Sequence, residues 1–291
     1  SVEDKVSAMK FFVYGTDIDA ANTLIGAYIA DADNVELKDS ALYGDISVSS
    51  NLHEKIAGGD GNGNGHVSGL IDGEFFGWDE EIVTLPIDLV NHWIQIQAEI
   101  ASDDLATIVV DSGGTLSTAH VNIDDKGRNY RQLLNTFLMG AVNFSQGTNN
   151  HFIKNFSGTD GDGVNYIAAQ DGTNAFTVAE HHFDQGFGFY GVARDGLDYT
   201  DLEASAISGR DEYKNGYHDS NSDLMIDLRS EYFFGHAQIC AERDVGSASG
   251  TVPTDFSNEV MLPILAARKI LSNAANKTNP ELTEIETSKL R

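Results

Sequence analysis

The chain has 291 residues, is 41% hydrophobic and carries a formal net charge of −27. That length and apolar content suit one large or two modest folded domains and exclude global disorder. The charge argues against nucleic acid and anionic lipid as partners, because a strongly acidic surface repels both, and it favours cations.

Cys240 is the single cysteine, so an intramolecular disulfide and a Cys-rich metal site are ruled out. No apolar run approaches the roughly 18 residues of a membrane helix, so no transmembrane segment is expected. Glycine is abundant (29) and proline scarce (4), which favours helices joined by Gly/Asx loops. Numbering begins at Ser1 rather than at a methionine. This fits a processed chain whose signal or lipoprotein leader has been removed.

In chain order, residues 2–13 place Val2, Val6, Met9 and Val13 near one face, which predicts a helix. Residues 20–29 repeat the pattern, with Asp17 or Asp19 as cap. Residues 57–74 read as a glycine-rich loop. Residues 86–101 predict a helix, with Pro86 near its start, Asp88 in capping position and Leu89, His92 or Trp93, Ile96 and Ile100 on one stripe. Residues 106–121 hold a β-branched run and the Gly113–Gly114 turn, which predict a small hairpin.

Residues 130–146 predict a buried helix with Leu134, Phe137 or Leu138, Ala141 and Phe144 or Ser145 inward. Gly140 and Ala141 would admit a second helix closely. Residues 155–176 read as a polar connection. Residues 223–243 predict a long helix carrying Leu228, Tyr232, His236 and Cys240, and residues 257–275 another, with Ser257 as its cap. Residues 278–291 form a polar tail. The expectation is an all-α fold of helical bundles with long Gly/Asx-rich loops and one small β-hairpin. Residues 1–277 form one domain with halves at about 1–125 and 126–277.

Residues 179–191 read A-E-H-H-F-D-Q-G-F-G-F-Y-G. On a helix, Glu180, His181, Asp184 and Gln185 fall on one arc and Phe183 and Phe187 on the other, while His182 lies outside the polar arc. Carboxylates and an imidazole one turn apart can converge on a metal ion, or can form an acid–base pair. A transition-metal site takes three or four ligands, so His120, His151, His218 and His236 are candidates for the rest. The competing reading is a buried polar network between helices.

The segment E-H-H-F-D-Q-G-F-G-F-Y-G-V at 180–192 resembles the signature of an imelysin-like family of bacterial envelope lipoproteins, whose usual form is close to E-H-H-W-D-E-A-F-G-Y-F-G-V. R-Q-L-L-N-T-F-L-M-G-A-V-N-F at 131–144 resembles that family's L-M-G-A segment, in the same order and spacing. The resemblance implies an all-α fold and a periplasmic or outer-membrane-anchored location. It also implies a role in iron or other metal acquisition, with an outer-membrane receptor as partner. The wider group carries G-x-H-x-x-E and is classed with metallopeptidases. Here the matching pair is His181 with Asp184, or His182 with Gln185, and the glutamate is absent. A bound metal or metal complex is therefore expected ahead of peptidase activity, with iron or zinc at His181, Asp184, Glu180 and His182. A hydrolase would use Glu180 as general base.

Three acidic loops suggest Ca²⁺. Asp60-x-Asn62-x-Asn64-Gly65 matches the first half of a calcium loop, but Ile71 stands where the last ligand is due. Asp219, Asn221 and Asp223 repeat the spacing without the glycine, and Asp160 and Asp162 give a shorter version. A Ca²⁺-stabilised surface adhesion or assembly module is thus a third expectation. A nucleophile elbow, a P-loop lysine and H-E-x-x-H are all missing from the sequence.

Overall fold

The structure is a computed structural model. It describes residues 1–15, 36–37, 51–62, 70, 75–78, 83–102, 110–111, 116–117, 122–152, 156, 166–167 and 176–277. The expectations at 20–29 and 278–291, together with His120, Asn64, Asp160 and Asp162, lie outside these residues. The described residues are mostly helical, in helical-bundle packing. The chain divides into two compact units, Ser1–Leu24 with Leu42–Ser145, and Ile25–Ala41 with Gln146–Arg291.

In the first unit, α1 (Val2–Tyr14) starts at a capping box in which the Ser1 hydroxyl accepts from the Asp4 backbone N–H. It stops at Gly15, whose left-handed φ of 63° lets its N–H reach the Phe11 carbonyl. Helix α2 (Pro86–Ser102) is anchored by Asp88, whose Oδ2 accepts from the Thr84 and Leu85 N–H groups. Tyr14 and Lys5 of α1 bond to Asn91 and Ser102 of α2. The core holds Val83, Leu89, Trp93 and Tyr130, with Phe75 and Phe137 against it. The strands β2 (Val110–Asp111) and β3 (Leu116–Ser117) pair antiparallel, as the Gly113–Gly114 turn predicts.

Helix α3 (Tyr130–Leu138) begins at Asn129, whose side chain accepts from the Gln132 N–H, and continues as π-helix over Met139–Phe152. The wider winding changes which side chains face inward. Val142 and Ser145 are buried and Phe144 is 55% exposed, so of the alternatives Phe144 or Ser145 it is Ser145 that faces inward. Gly140 has open space where a Cβ would stand, so it is not the point of close helix approach.

In the second unit, α4 (Val178–Tyr190), α5 (Asp201–Ala204), α6 (Gly235–Ser247) and α7 (Phe256–Lys277) pack together. Strand β1 (Glu36–Leu37) pairs parallel with β4 (Met225–Ile226). One core cluster joins Phe156, Tyr166, Ala179 and Phe183 to Ile264, Ala267 and Leu271 of α7, and a second joins Ala193, Ala204 and Phe233 to α6. Phe156 and Tyr166 show that the segment 155–176 is not simply a polar connection.

Two expectations are corrected here. The helix predicted over 223–243 begins only at Gly235, because Asp219, Asn221 and Asp223 draw the backbone into turns and Leu224 takes a φ of 67°. The cap of α7 is not Ser257. Asp244 on α6 accepts from the Phe256 and Ser257 N–H groups at 2.8 Å each, and from the Ser257 hydroxyl.

Candidate functional site

The predicted site stands on α4. Thr177 and Glu180 form its capping box, with the Glu180 Oε2 accepting from the Thr177 N–H at 2.9 Å. The box fixes the start of the helix, and with it the faces on which the following side chains fall. Phe183, 1% exposed, seats the helix in the core.

Glu180 and Asp184 do lie on one face, but their common partner is Arg268 of α7. The guanidinium donates to both Asp184 oxygens, at 2.6 and 3.1 Å, and to Glu180 Oε1 at 2.9 Å. Ser272 also donates to Glu180 Oε1. Burial would raise the Glu180 carboxyl, but the Thr177 N–H and Arg268 outweigh it and hold the group below its ordinary value. A carboxylate of lowered pKa whose oxygens are already engaged is a poor general base at neutral pH.

The two histidines diverge, as the helical arc predicts. His181 lies over Phe176, ring centroids 5.8 Å apart and 22° from parallel. His182 reaches the π-helical segment, where its Nδ1 stands 3.3 Å from Nδ1 of the buried His151. Gly186 permits this approach, because a Cβ there would meet Phe152 at 2.8 Å and the His151 Cβ at 3.1 Å. Of the candidates for completing the site, His151 is brought to the motif, and His120 lies outside the described residues. Among the described residues, no group of three or more His, Cys, Asp or Glu side chains is placed to hold a metal.

His218 pairs instead with Asp195, Nδ1 to Oδ2 at 2.7 Å, and stacks on Tyr213 at 3.9 Å. The other Asp195 oxygen and the Tyr199 hydroxyl are buried without hydrogen-bond partners. Burial, and then the nearby Asp195 charge, push the Tyr199 hydroxyl well above its ordinary pKa.

A DUF4856 domain, a domain of unknown function, spans residues 78–217. No curated protein and no solved structure matches the chain. The DUF4856 region contains α2, α3 and α4, and so both halves of the His151–His182 pair.

The calcium candidates divide. Asp219 accepts from the N–H groups of Asp223 and Leu224 at 3.1 and 2.7 Å, Asn221 from that of Asp223 at 2.9 Å, and Asp223 from that of Met225 at 3.0 Å. Asp60 accepts from the Asn62 N–H at 2.8 Å and faces His53 at 3.5 Å.

Sequence reasoning missed Arg268 and the Asp195–His218–Tyr213 group. One available signal was the scarcity of basic residues, 18 against 45 acidic. An arginine between the buried Ala267 and Leu271 positions of a helix is a strong candidate partner for a carboxylate on a neighbouring helix.

Proposed function

We propose that this chain is an imelysin-like protein of the bacterial envelope. It binds a transition metal or metal complex in the service of metal acquisition, with an outer-membrane receptor as partner. The envelope location, the receptor and the acquisition role rest on the two motifs at 131–144 and 180–192. The observation that carries the metal reading is the 3.3 Å separation of the His151 and His182 Nδ1 atoms. Two imidazole nitrogens each at about 2.0–2.1 Å from a tetrahedral ion stand roughly 3.3 Å apart. Imidazole suits iron and zinc alike.

A pair supplies half of a tetrahedral set, which favours an ion that arrives with ligands of its own. The metal-facing residues thus become His182 and His151 rather than His181 and Asp184, whose carboxylate is held by Arg268. A peptidase-like hydrolase is the weaker reading, since the Glu180 carboxylate is weakly basic and engaged.

The test is elemental analysis of protein purified without chelator and loaded with Zn²⁺ or Fe²⁺. His182→Ala and His151→Ala are each expected to lose the bound transition metal, and His181→Ala to keep it. Loss on His181→Ala with retention in the other two would sink the assignment.

A second reading, a Ca²⁺-stabilised surface module, is favoured by one observation. Leu224 takes the left-handed φ of 67° at the sixth position from Asp219, where calcium loops place glycine. Roughly millimolar Ca²⁺ should then raise the melting temperature relative to EDTA, and Asp223→Ala should erase the difference. Equal melting temperatures in Ca²⁺ and EDTA would remove this reading.

A further inference from the structure

The first unit carries a feature that the metal reading does not use. A cleft of about 600 Å³ is lined by Trp78, Trp93, Arg128, Asn129, Gln132 and Thr136, among others. That volume lies within the usual range for small-ligand sites. The cleft lies within the DUF4856 region. We propose that it binds a neutral oligosaccharide.

Four observations carry the assignment. The first is Trp78, which is 40% exposed although indole normally gains by burial. Its ring is held in place, 6.1 Å from Phe75 at 26° and 5.5 Å from Trp93 at 83°. A ring already fixed by its neighbours loses little side-chain entropy when a ligand lies on it.

The second is the polar rim. Asn129 uses its side-chain oxygen to cap α3, and among the described residues its amide N–H₂ has no partner. Gln132 and Thr136 follow on the exposed side of α3. Amide, hydroxyl and guanidinium groups beside an aromatic plate match a pyranose. One face of that ring is apolar C–H, and its edge carries hydroxyls that both donate and accept.

The third is charge. The chain has 45 acidic residues, yet the described residues that line the cleft include no carboxylate. They offer a cationic ligand no counter-charge. The cation among them, Arg128, is already paired through Nε with Asp124 at 2.6 Å. Anionic ligands meet a neutralised arginine on a molecule of charge −27. What fits is uncharged and rich in hydroxyls.

The fourth is scaffold. Asp124 accepts from the Lys126 and Arg128 N–H groups and from the Tyr130 hydroxyl, which braces the turn that presents Arg128 and Asn129. A braced rim is pre-organised for recognition.

Both tryptophans of the chain line the cleft, so intrinsic tryptophan fluorescence reports on it directly. The full chain is titrated with cellohexaose, maltohexaose and mannohexaose. A saturable change in emission is expected with at least one of them. Trp78→Ala should weaken that binding roughly tenfold or more by calorimetry. Gln132→Ala, an exposed helix position, should weaken it several-fold at an unchanged melting temperature. Trp78→Phe keeps an aromatic plate and should retain most of the affinity, which guards against misfolding of the alanine variant. The proposal is overturned if none of the three sugars gives a saturable change. Binding that survives Trp78→Ala and Gln132→Ala, or saturable binding of decaproline in place of sugar, overturns it equally.

Discussion

Replacing Glu203 with alanine is expected to destabilise the second unit by about 2–3 kcal/mol, because it removes a capping carboxylate and leaves the Thr200 and Arg210 N–H groups without their acceptor, while the half-exposed Arg210 guanidinium returns to water. Glu203 is 1% exposed. Its Oε1 accepts from the Arg210 backbone N–H at 2.8 Å and from Nε at 2.7 Å. Its Oε2 accepts from Arg210 Nη2 at 2.8 Å and from the Thr200 N–H at 2.9 Å. The same side chain thus closes the capping box of α5 and holds the loop that follows. Gly209 is part of the arrangement, because a Cβ there would fall 2.1 Å from Glu203 Cγ. The measurement is urea denaturation followed by near-ultraviolet circular dichroism and by amide exchange in α5 and α6. Tryptophan emission would miss it, since both tryptophans belong to the first unit. A loss under about 1 kcal/mol at pH 7 would show that the buried carboxylate is not held as described.

The effect should depend on pH with a definite sign. The Arg210 hydrogen bonds, working against burial, hold the Glu203 carboxyl far below its ordinary pKa in the folded state. A depressed folded-state pKa contributes stability that is fully present above the unfolded value of about 4.3 and is lost as the pH falls below it. The stability gap between the parent chain and Glu203→Gln should be widest near neutrality and narrow steadily below about pH 4. A gap that widens in acid would contradict an ionised Glu203.

The second large effect is expected at Phe183. Its ring meets Phe152 at 5.1 Å and Phe156 at 6.1 Å, both edge-on, and it shares a cluster with Ile264, Ala267 and Leu271. Phe183→Ala removes most of a fully buried aromatic side chain and leaves a cavity between α4 and α7, at a cost of about 3–5 kcal/mol. Phe183→Leu keeps much of the volume and should cost about half of that or less. Equal losses in the two variants would mean that packing volume is not what Phe183 supplies. The imelysin-like signature has tryptophan at this place. In so close a cluster, Phe183→Trp is an overpacking change.

Much of the helical scaffold was legible because its causes are local. Ser1 with Asp4, Thr177 with Glu180 and Thr200 with Glu203 are capping boxes four residues long, and although sequence reasoning named none of them and did not foresee α5, a helix start needs nothing beyond its own first turn. The apolar stripe of α2 likewise follows from 3.6-residue spacing. The late start of α6 was also a local matter. Asp219, Asn221 and Asp223 are turn formers whose side chains compete with helical hydrogen bonds, and the apolar spacing of 223–243 obscured that signal.

The site was only half legible. Periodicity separated His181 from His182 and put Glu180 beside Asp184, because positions on one helix are fixed by 100° steps. It could not supply Arg268, which lies 84 residues from Asp184 and 88 from Glu180. Nor could it choose His151, 31 residues before His182, from among the histidines. The cap of α7 came from Asp244 on another helix for the same reason.

The sequence by itself determined which segments can be helices, where most of them begin, and which residues share a helix face, since each of these depends on neighbours within a turn or two. Only the tertiary structure decided what those faces meet. A carboxylate becomes a metal ligand, a base or half of an ion pair according to the charge packed against it, and that depends on how distant helices dock. At α4 the docking of α7 brought Arg268 to Glu180 and Asp184, and the absence of a side chain at Gly186 let His151 come to His182.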